Sequence, residues 1–432
     1  MSNPLISLVE RHKSGASEGI YSVCSAHPLV LRAAMRQSVA DGTPLLVEAT
    51  SNQVDQFGGY TGRTPAQFRA DVEAIAAEEG FPQHRLILGG DHLGPNRWRK
   101  EDAESAMGKA EDLVRAYVTA GYSKIHLDCS MPCAGETAPL SDEVVAARAV
   151  RLLAVAEQAA ADAGVDPASL VYVIGTEVPT PGGAAEKLED LQPTTPAFAR
   201  RTLEIHRRAI ADAGLADVWP RVIALVVQPA VEFDHLDVVD YKPEATTELR
   251  HVLDDEPGMV FEAHSTDYQR QELLRELVRA HWAVLKVGPG LTFALREALF
   301  ALAAIEREIV PTGEQSQLRE TIESTMLADP SWWESYYEGT DTEQALARAY
   351  SYSDRVRYYW PVPAIDAAVQ RLFTNLRACG IPEPLLSQYL PAQFERVRAG
   401  ELTADPADLA IDRVRDVLRV YAAATADDND GK

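Results

Sequence analysis

The chain has 432 residues, of which 46% are hydrophobic and 25% charged, a composition typical of globular proteins that excludes a disordered or fibrous chain. It carries 41 lysines and arginines against 65 aspartates and glutamates, so its formal net charge is −24. So acidic a surface repels phosphate backbones and anionic lipid headgroups, and we therefore expect no nucleic-acid or membrane partner. An anionic substrate would need a local basic pocket that works against this field.

The cysteine content and the hydropathy pattern bear on the compartment. Four cysteines in so long a chain cannot form a disulfide framework. The N-terminal stretch MSNPLISLVERHKSG has no signal-peptide character, and no segment approaches the roughly 18 apolar residues that a membrane span needs. We therefore expect a cytoplasmic protein with reduced thiols.

Eight short apolar segments rich in β-branched residues recur along the first 291 residues. They span residues 19–27, 44–52, 85–93, 123–131, 170–178, 221–229, 258–266 and 283–291. Segments with helical periodicity lie between them, and strands that alternate with helices indicate βα units and a parallel sheet. Eight such units in this length predict an α/β fold, a TIM (β/α)8 barrel over residues 1–291.

The pattern changes after residue 291. We predict that residues 292–432 contain the last barrel helix, formed by the amphipathic segment LTFALREALFALAAIEREIV that starts at Leu291. The rest is rich in aromatic residues and shows no further strand series, so we predict a helical extension packed on the barrel. Arg355 and Arg357 lie in its segment SYSDRVRYYW. An aromatic patch that docks the extension is favoured there over a role in substrate binding.

Each predicted strand becomes polar only at its C-terminal end. In a TIM barrel these ends and the loops after them build the active site, so we expect the polar side chains to converge on one mouth. They are His27, Asn52, Asp91, His92, Asp128, Glu177, Gln228, His264 and Lys286.

Some of these residues predict a metal site. Asp91 and His92 are adjacent, and a histidine ligand beside a carboxylate acid/base is a common metal-assisted pairing, although a structural Asp-His pair capping a loop is an equal alternative. With His264 and Glu177 they would form a zinc site of two histidines and a carboxylate, with one position open for substrate. His235 is a competing ligand, but a surface-loop histidine is the favoured interpretation. Asp128 is a second acid/base candidate or an acceptor for a substrate hydroxyl.

Glycine-rich turns follow the second and eighth predicted strands. The turn VGPG at residues 287–290 resembles barrel loops that hold phosphate with backbone N–H groups, although βα turns use glycine for backbone reasons alone. Neither a P-loop nor a G-x-G-x-x-G motif is present, so a P-loop kinase and a Rossmann dehydrogenase are not supported. The predicted substrate contacts are Asn52, Gly59, Tyr60, Gln228, Lys286, Gly288 and Gly290.

Several long segments resemble one known family, the Z-type subunit of bacterial tagatose-1,6-bisphosphate aldolase. They extend over residues 20–400 and read EATSNQVDQFGGYTGRTP, LGGDHLGPNRW, HLDCSM, IGTEVPTPGG, VVQPAVEFDH, FEAHSTDYQ, LKVGPGLTFALREALFAL, YSYSDRVRYYW and SQYLP. The resemblance implies a TIM barrel distantly similar to the class II, zinc-dependent ketose-bisphosphate aldolases. Members are usually described as a non-catalytic subunit that supports a Y-type catalytic partner. Relatives have also been assigned ketose 4-epimerase activity or a tagatose-6-phosphate kinase label.

The resemblance also implies roles for individual residues. Asp91 and His92 match the aldolase pair of catalytic acid/base and first zinc ligand, and His264 matches a later zinc ligand. Lys286 to Gly290 stands where the aldolases bind substrate. The aldolases place another zinc histidine at the end of strand 6, where this chain has Gln228. Either Glu177 completes the ligand set, or the metal is lost.

Two functions follow as expectations. The first is a metal-dependent 4-epimerase of ketohexoses or their phosphates that uses retro-aldol chemistry, with a divalent metal, zinc by resemblance, and with Asp91 or Asp128 as the acid/base. The second is an inactive barrel that stabilises a Y-type aldolase. Both place the chain in tagatose and galactitol metabolism.

Overall fold

The barrel predicted from the strand series is present in the computed structural model, which describes residues 3–176 and 191–427. Its eight strands are parallel and close in the order β1-β8-β7-β6-β5-β4-β3-β2. The TIM-barrel prediction is confirmed. The strands are β1 (Ile20–Val23), β2 (Leu45–Thr50), β3 (Leu86–Leu93), β4 (Lys124–Leu127), β5 (Val171–Gly175), β6 (Val222–Val226), β7 (Val260–Ala263) and β8 (Trp282–Val287).

The helices surround these strands because their apolar faces pack on the outside of the sheet. Their starts follow from local sequence: Thr64 caps α3 (Pro65–Glu78) in a capping box with Gln67, and a proline begins the helix at its first position. The helices up to the end of the barrel are α1 (Pro4–Lys13), α2 (Pro28–Asp41), α3 (Pro65–Glu78), α4 (Ala103–Thr119), α5 (Asp142–Asp162), α6 (Pro196–Asp212), α7 (Gln271–Arg279) and α8 (Pro289–Ile309).

The N-terminal helix α1 closes one end of the barrel. Leu5, Leu8 and Val9 of α1 are buried in one cluster with apolar side chains from seven of the strands. The Asn3 side chain caps the helix and also donates a hydrogen bond to the carbonyl of Ser169, just before β5. Because this end is filled, the opposite end, where the strands finish, is left as the open mouth.

The extension packs on the barrel. Its helices are α9 (Leu318–Ala328), α10 (Asp341–Tyr350), α11 (Pro363–Cys379), α12 (Glu383–Tyr389), α13 (Pro391–Arg398) and α14 (Pro406–Thr425). Helix α14 lies against α2, α7 and α8, and the Tyr421 hydroxyl donates to the Thr266 carbonyl at 2.7 Å. The predicted boundary after residue 291 falls inside α8, because β8 ends at Val287 and Pro289 already begins the helix. Within the described ranges, no helix has both the length and the apolar character to cross a membrane.

Candidate active site

The open mouth of the barrel leads into a cavity of about 1300 Å³. Strand ends form its floor and the extension forms part of its wall. The predicted residues that line this cavity are His27, Asn52, Tyr60, His92, Asp128, His264, Lys286 and Gly288. Asp91 lies just beneath the floor, fully buried. Among the described residues, the polar side chains predicted at the strand ends therefore lie at one mouth. Gln228 is the exception.

A backbone irregularity at the end of β3 turns two adjacent side chains toward the same place. The register between β3 and β4 shifts between Gly90 and Leu93, and His92 has a positive φ of 48°. A bulge of this kind re-aims side chains that would otherwise alternate between the two faces of a sheet. At the same end, a Cβ added at Gly94 would collide with the carbonyl oxygen of Asp128, so glycine permits this close approach of the two strands.

Three histidines and one aspartate cluster at the floor of the cavity. The ligand atoms of Asp91, His92, His126 and His264 all lie within 4.8 Å of one another. The ring centroid of His92 is 4.8 Å from that of His264 and 5.0 Å from that of His126. His126 lies within β4, before the polar end of the strand, and was not among the residues predicted from the sequence.

The surroundings of these imidazoles fit a metal site. In each ring at least one nitrogen is engaged by a carboxylate or a carbonyl, the arrangement that usually orients metal-bound histidines, and in His126 the other nitrogen faces Asp91, itself a candidate ligand. Nitrogen and carboxylate donors together suit a borderline divalent cation such as Zn²⁺. The partners are Asp128 Oδ2 for His92 at 2.8 Å, Gly175 O for His126 at 3.0 Å and Glu262 Oε1 for His264 at 3.0 Å.

The remaining candidate ligands fare differently. Gln228, at the end of β6, does not line the cavity, because its side-chain oxygen accepts a hydrogen bond from the Val231 amide at 2.9 Å. His235 is not part of the histidine cluster; its ring is half-buried and contacts the extension through the Tyr336 carbonyl. Glu177 lies outside the described residues, so its role as a ligand stays a prediction. A histidine on β4 instead stands beside the two predicted ones.

Asp91 is held as a carboxylate by its neighbours. Its Oδ1 is 3.0 Å from Nδ1 of His126, and its Oδ2 forms an ion pair with Lys286. Burial alone would raise the pKa of Asp91, but the charges of His92 and Lys286 outweigh burial and hold that pKa well below its usual range. Burial would likewise lower the pKa of Lys286, but Asp91 raises it above its usual value. Lys286 is therefore a cation and not a free amine.

Asp128 differs from Asp91 in that it faces the cavity. Burial would raise the pKa of Asp128, but the hydrogen bond and the charge of His92 lower it below its usual range. Ser130 donates two further hydrogen bonds to Oδ1, from its amide at 3.1 Å and from its hydroxyl at 2.7 Å. Asp128 is therefore an oriented, ionised carboxylate at the cavity surface.

A second polar layer lies below the histidine cluster, inside the barrel. Lys124, fully buried, pairs with Glu48 Oε1 at 2.5 Å and with Glu262 Oε2 at 2.8 Å. The Ser22 hydroxyl donates to the other oxygen of Glu48 at 2.6 Å. This layer was not predicted, although the sequence indicates it. Lys124 and His126 are two residues apart, and so are Glu262 and His264, the spacing that puts side chains on one face of a strand.

The predicted glycine contacts have structural partners of their own. The amides of Gly288 and Gly290 both donate to Oδ1 of Asp267, at 2.9 and 2.7 Å, and Gly290 does not line the cavity. Burial raises the pKa of Asp267 to about 6, although the two amides and the charge of Arg357 lower it. Gly59 has a positive φ of 56° and packs against the backbone of Gln53. The N-terminus of α8 is thus capped by a carboxylate of the chain itself.

The extension contributes a wall of aromatic and cationic side chains to the cavity. Trp332 and Tyr358 stack with ring centroids 4.7 Å apart, and Tyr60 from the barrel meets Tyr358 edge-on at 4.9 Å. This contact docks the extension, as the aromatic pattern predicted. Arg355 and Arg357 also line the cavity, which the favoured docking interpretation did not include.

Comparisons with known proteins agree with this architecture. A solved structure described as a probable tagatose 6 phosphate kinase from Sinorhizobium meliloti 1021 is 48% identical in sequence, with a TM-score of 0.87 over 94% of this chain and 100% of that one. The YdjI aldolase from Escherichia coli K12 is 9% identical, with a TM-score of 0.44 over 88% of this chain and 98% of that one. The fructuronate-tagaturonate epimerase UxaE from Cohnella laeviribosi is 12% identical, with a TM-score of 0.49 over 94% of this chain and 81% of that one. The last two are too distant to carry an argument about function.

The family model for D-tagatose-1,6-bisphosphate aldolase subunit GatZ/KbaZ-like proteins matches residues 5–426, nearly the whole chain. Together with the closely similar solved structure, this match confirms the resemblance noted in the sequence, and the chain belongs to the GatZ/KbaZ-like family of tagatose-bisphosphate aldolase subunits.

Proposed function

We propose that this chain is a metal-dependent epimerase that inverts C4 of a ketohexose or ketohexose phosphate by retro-aldol cleavage and re-addition. One observation carries the proposal: Asp128, ionised and facing a deep cavity, is hydrogen-bonded to His92 in a cluster of donors suited to a divalent cation. Membership of a tagatose-bisphosphate aldolase family supports a ketohexose as the substrate.

The chemistry demands a bond cleavage and not a simple proton transfer. In a 2-ketose, C4 is not adjacent to the carbonyl, so a carbanion formed at C4 has no electron sink. Breaking the C3–C4 bond leaves an ene-diolate on one fragment and an aldehyde on the other. Re-addition to the opposite face of the aldehyde inverts C4. A divalent cation, when bound by the histidine cluster, supplies Lewis-acid stabilisation of the negative charge.

Of the two carboxylate candidates, Asp128 is the one whose position supports the proton transfer. Asp128 takes the proton from the C4 hydroxyl as the C3–C4 bond breaks, and returns it after re-addition. Asp91 is less suited to this step, because it is fully buried and both of its oxygens are engaged. Asp91 instead positions Lys286, whose ammonium group faces the cavity and favours negative charge on the substrate oxygens.

The second candidate is a subunit that has no reaction of its own and supports a Y-type aldolase. The description of the family as an aldolase subunit favours it. On this hypothesis the polar mouth is inherited, and the extension provides a docking surface for the partner.

The test is turnover by the isolated, metal-loaded chain. D-tagatose, D-fructose and their 6-phosphates are incubated with it separately in D₂O, and the products are followed by NMR. We expect interconversion with the original hydrogen kept at C4, because the C4–H bond is never broken. Asp128→Asn serves as the inactive control. A parallel incubation of tagatose 6-phosphate with ATP tests the kinase activity named for the similar protein.

Two results would overturn the proposal. Deuterium at C4 of the product would show that the C–H bond breaks, which retro-aldol cleavage does not require. No turnover of any of the four sugars, combined with a gain in aldolase activity on addition of a Y-type aldolase, would establish the subunit role instead.

A further inference from the structure

The cations that line the cavity differ in how their charge is balanced. Lys286 is paired with Asp91 at the floor. At the rim, Arg32 is paired with Glu78 and Glu79, Arg63 with Asp71, and Arg97 with Asp55. Arg99 is exposed, so water screens its charge.

Arg355 and Arg357 stand apart from this pattern, since neither forms an ion pair with a carboxylate of any described residue. Arg355 is only 4% exposed, and its Nε donates to the Trp332 carbonyl. Arg357 donates to the Ser353 and Asp354 carbonyls and, at 3.0 Å, to the Tyr358 hydroxyl. Two adjacent guanidinium groups are thus fixed on the cavity wall by neutral partners.

Aromatic faces hold these guanidinium groups in place. The guanidinium carbon of Arg355 lies 3.3 Å from the ring centroid of Tyr336, and that of Arg357 lies 4.5 Å from the ring centroid of Tyr358. Cation–π contacts orient a guanidinium without neutralising it. A buried cation that lacks a counter-ion is unfavourable, and binding an anion relieves that penalty.

The other anion site suggested by the sequence is already filled. The amides at the start of α8 donate to Asp267, so a ligand would have to displace a buried carboxylate to reach them. Arg357 is close enough for its charge to act on Asp267, so its guanidinium lies near this helix end. The positive charge available to a ligand is therefore on the extension.

We infer that Arg355 and Arg357 bind an anionic terminal group of the substrate, a phosphate or a carboxylate, and so select charged over neutral ketohexoses. The inference rests on the proposed function in that it takes the ligand to be a ketohexose. It adds which residues would recognise the anionic group, and it explains how a chain of net charge −24 attracts an anion. Planar guanidinium groups suit both candidate groups, since each offers paired oxygens.

The experiment measures binding and not turnover, so that its failure and that of the proposed function are distinguishable. Calorimetric titrations of the full chain use D-fructose 6-phosphate, D-fructuronate and neutral D-fructose at low and high salt. We expect at least one anion to bind at least tenfold more tightly than fructose at low salt, and the preference to shrink at high salt. The anion that binds more tightly identifies the terminal group.

Substitutions of Arg357 test whether the preference for anionic ligands depends on the cavity wall. Arg357→Gln should reduce the anion preference at least tenfold while fructose binding stays the same, and Arg357→Lys should retain part of it. Arg63→Gln is the matched control, because it removes an equal charge from a half-exposed residue paired with Asp71. Circular dichroism checks that each variant is folded. Equal binding of all three ligands by the wild-type chain overturns the inference, whatever the variants do. A full preference retained in folded Arg357→Gln also overturns it.

Discussion

The floor and the wall of the cavity differ in whether their cationic side chains are paired with carboxylates. On the floor and below it, each lysine is paired with a carboxylate: Lys286 with Asp91, and Lys124 with Glu48 and Glu262. On the wall, two arginines are held by carbonyls and aromatic rings. A floor whose charges are balanced internally is preorganised before substrate arrives, which suits bond making and breaking. A wall with uncompensated cations suits binding. Substitutions on the floor should therefore impair turnover, whereas substitutions on the wall should impair substrate binding.

The largest effect is expected at the histidine cluster. His126→Ala should weaken binding of a divalent metal by at least about a hundredfold and abolish turnover, because it removes a donor from the floor. Metal content per chain, measured by plasma emission, is the direct measurement. His235→Ala is the matched control, since that ring contacts the extension instead. Full metal content in folded His126→Ala, with loss in Glu177→Gln, would restore the ligand set first predicted from the sequence.

A smaller effect on rate is expected at Asp128. Asp128→Asn should lower kcat by about 10²–10⁴-fold with little change in KM or metal content, because it removes the proton acceptor and keeps the shape of the side chain. Steady-state kinetics on the best substrate of the panel provide the measurement. An unchanged kcat would show that the proton goes elsewhere, with Asp91 as the remaining candidate.

Substitution of Asp91 should mainly lower the free energy of unfolding. Asp91→Asn leaves the buried ammonium of Lys286 without its counter-ion, so we expect the free energy of unfolding to fall by about 3–5 kcal/mol. Denaturant titration in urea measures this loss. The double variant Asp91→Asn with Lys286→Met should recover part of it, because the unpaired charge is then gone. A single variant as stable as the wild type would mean that the ion pair contributes nothing to the floor.

The smallest effect concerns the cap of α8 and depends on pH. The pKa of Asp267 is raised from 3.8 to about 6, so the folded state keeps a proton that the unfolded state loses. This contribution to stability is present below pH 4 and lost as the pH rises through 6. Asp267→Asn keeps an oxygen for the two amides and removes the titration, so its advantage over wild type should grow to at most about 3 kcal/mol above pH 7. The free energy of unfolding of both proteins is measured at several pH values between 4 and 8. A difference between the two proteins that stays constant over this range would contradict the prediction.

Much of the architecture could be predicted from the sequence because it follows from short-range patterns. All eight strands were located from apolar, β-branched segments, although every strand except β3 ends at least two residues before its predicted limit. Strand ends point to the same mouth in any parallel barrel, so Asp128, His264 and Lys286 could be assigned to one site without knowledge of distances. The family could also be recognised from the sequence, because the resemblance lies in long continuous segments that can be compared without knowledge of the fold.

Only the tertiary structure decided which polar groups meet. His126 and Lys124 point into the barrel by strand alternation, but their partners depend on the stagger between strands, which the sequence does not encode locally. The bulge at His92 and the register shift between β3 and β4 bring that ring to Asp128. The contribution of the extension is likewise long-range: Arg357 reaches the cavity because α14 and the aromatic cluster of Tyr60, Trp332 and Tyr358 hold the extension over the barrel mouth. The periodicity of apolar residues in the sequence determined the helices and strands, and their tertiary packing determined which side chains form the site.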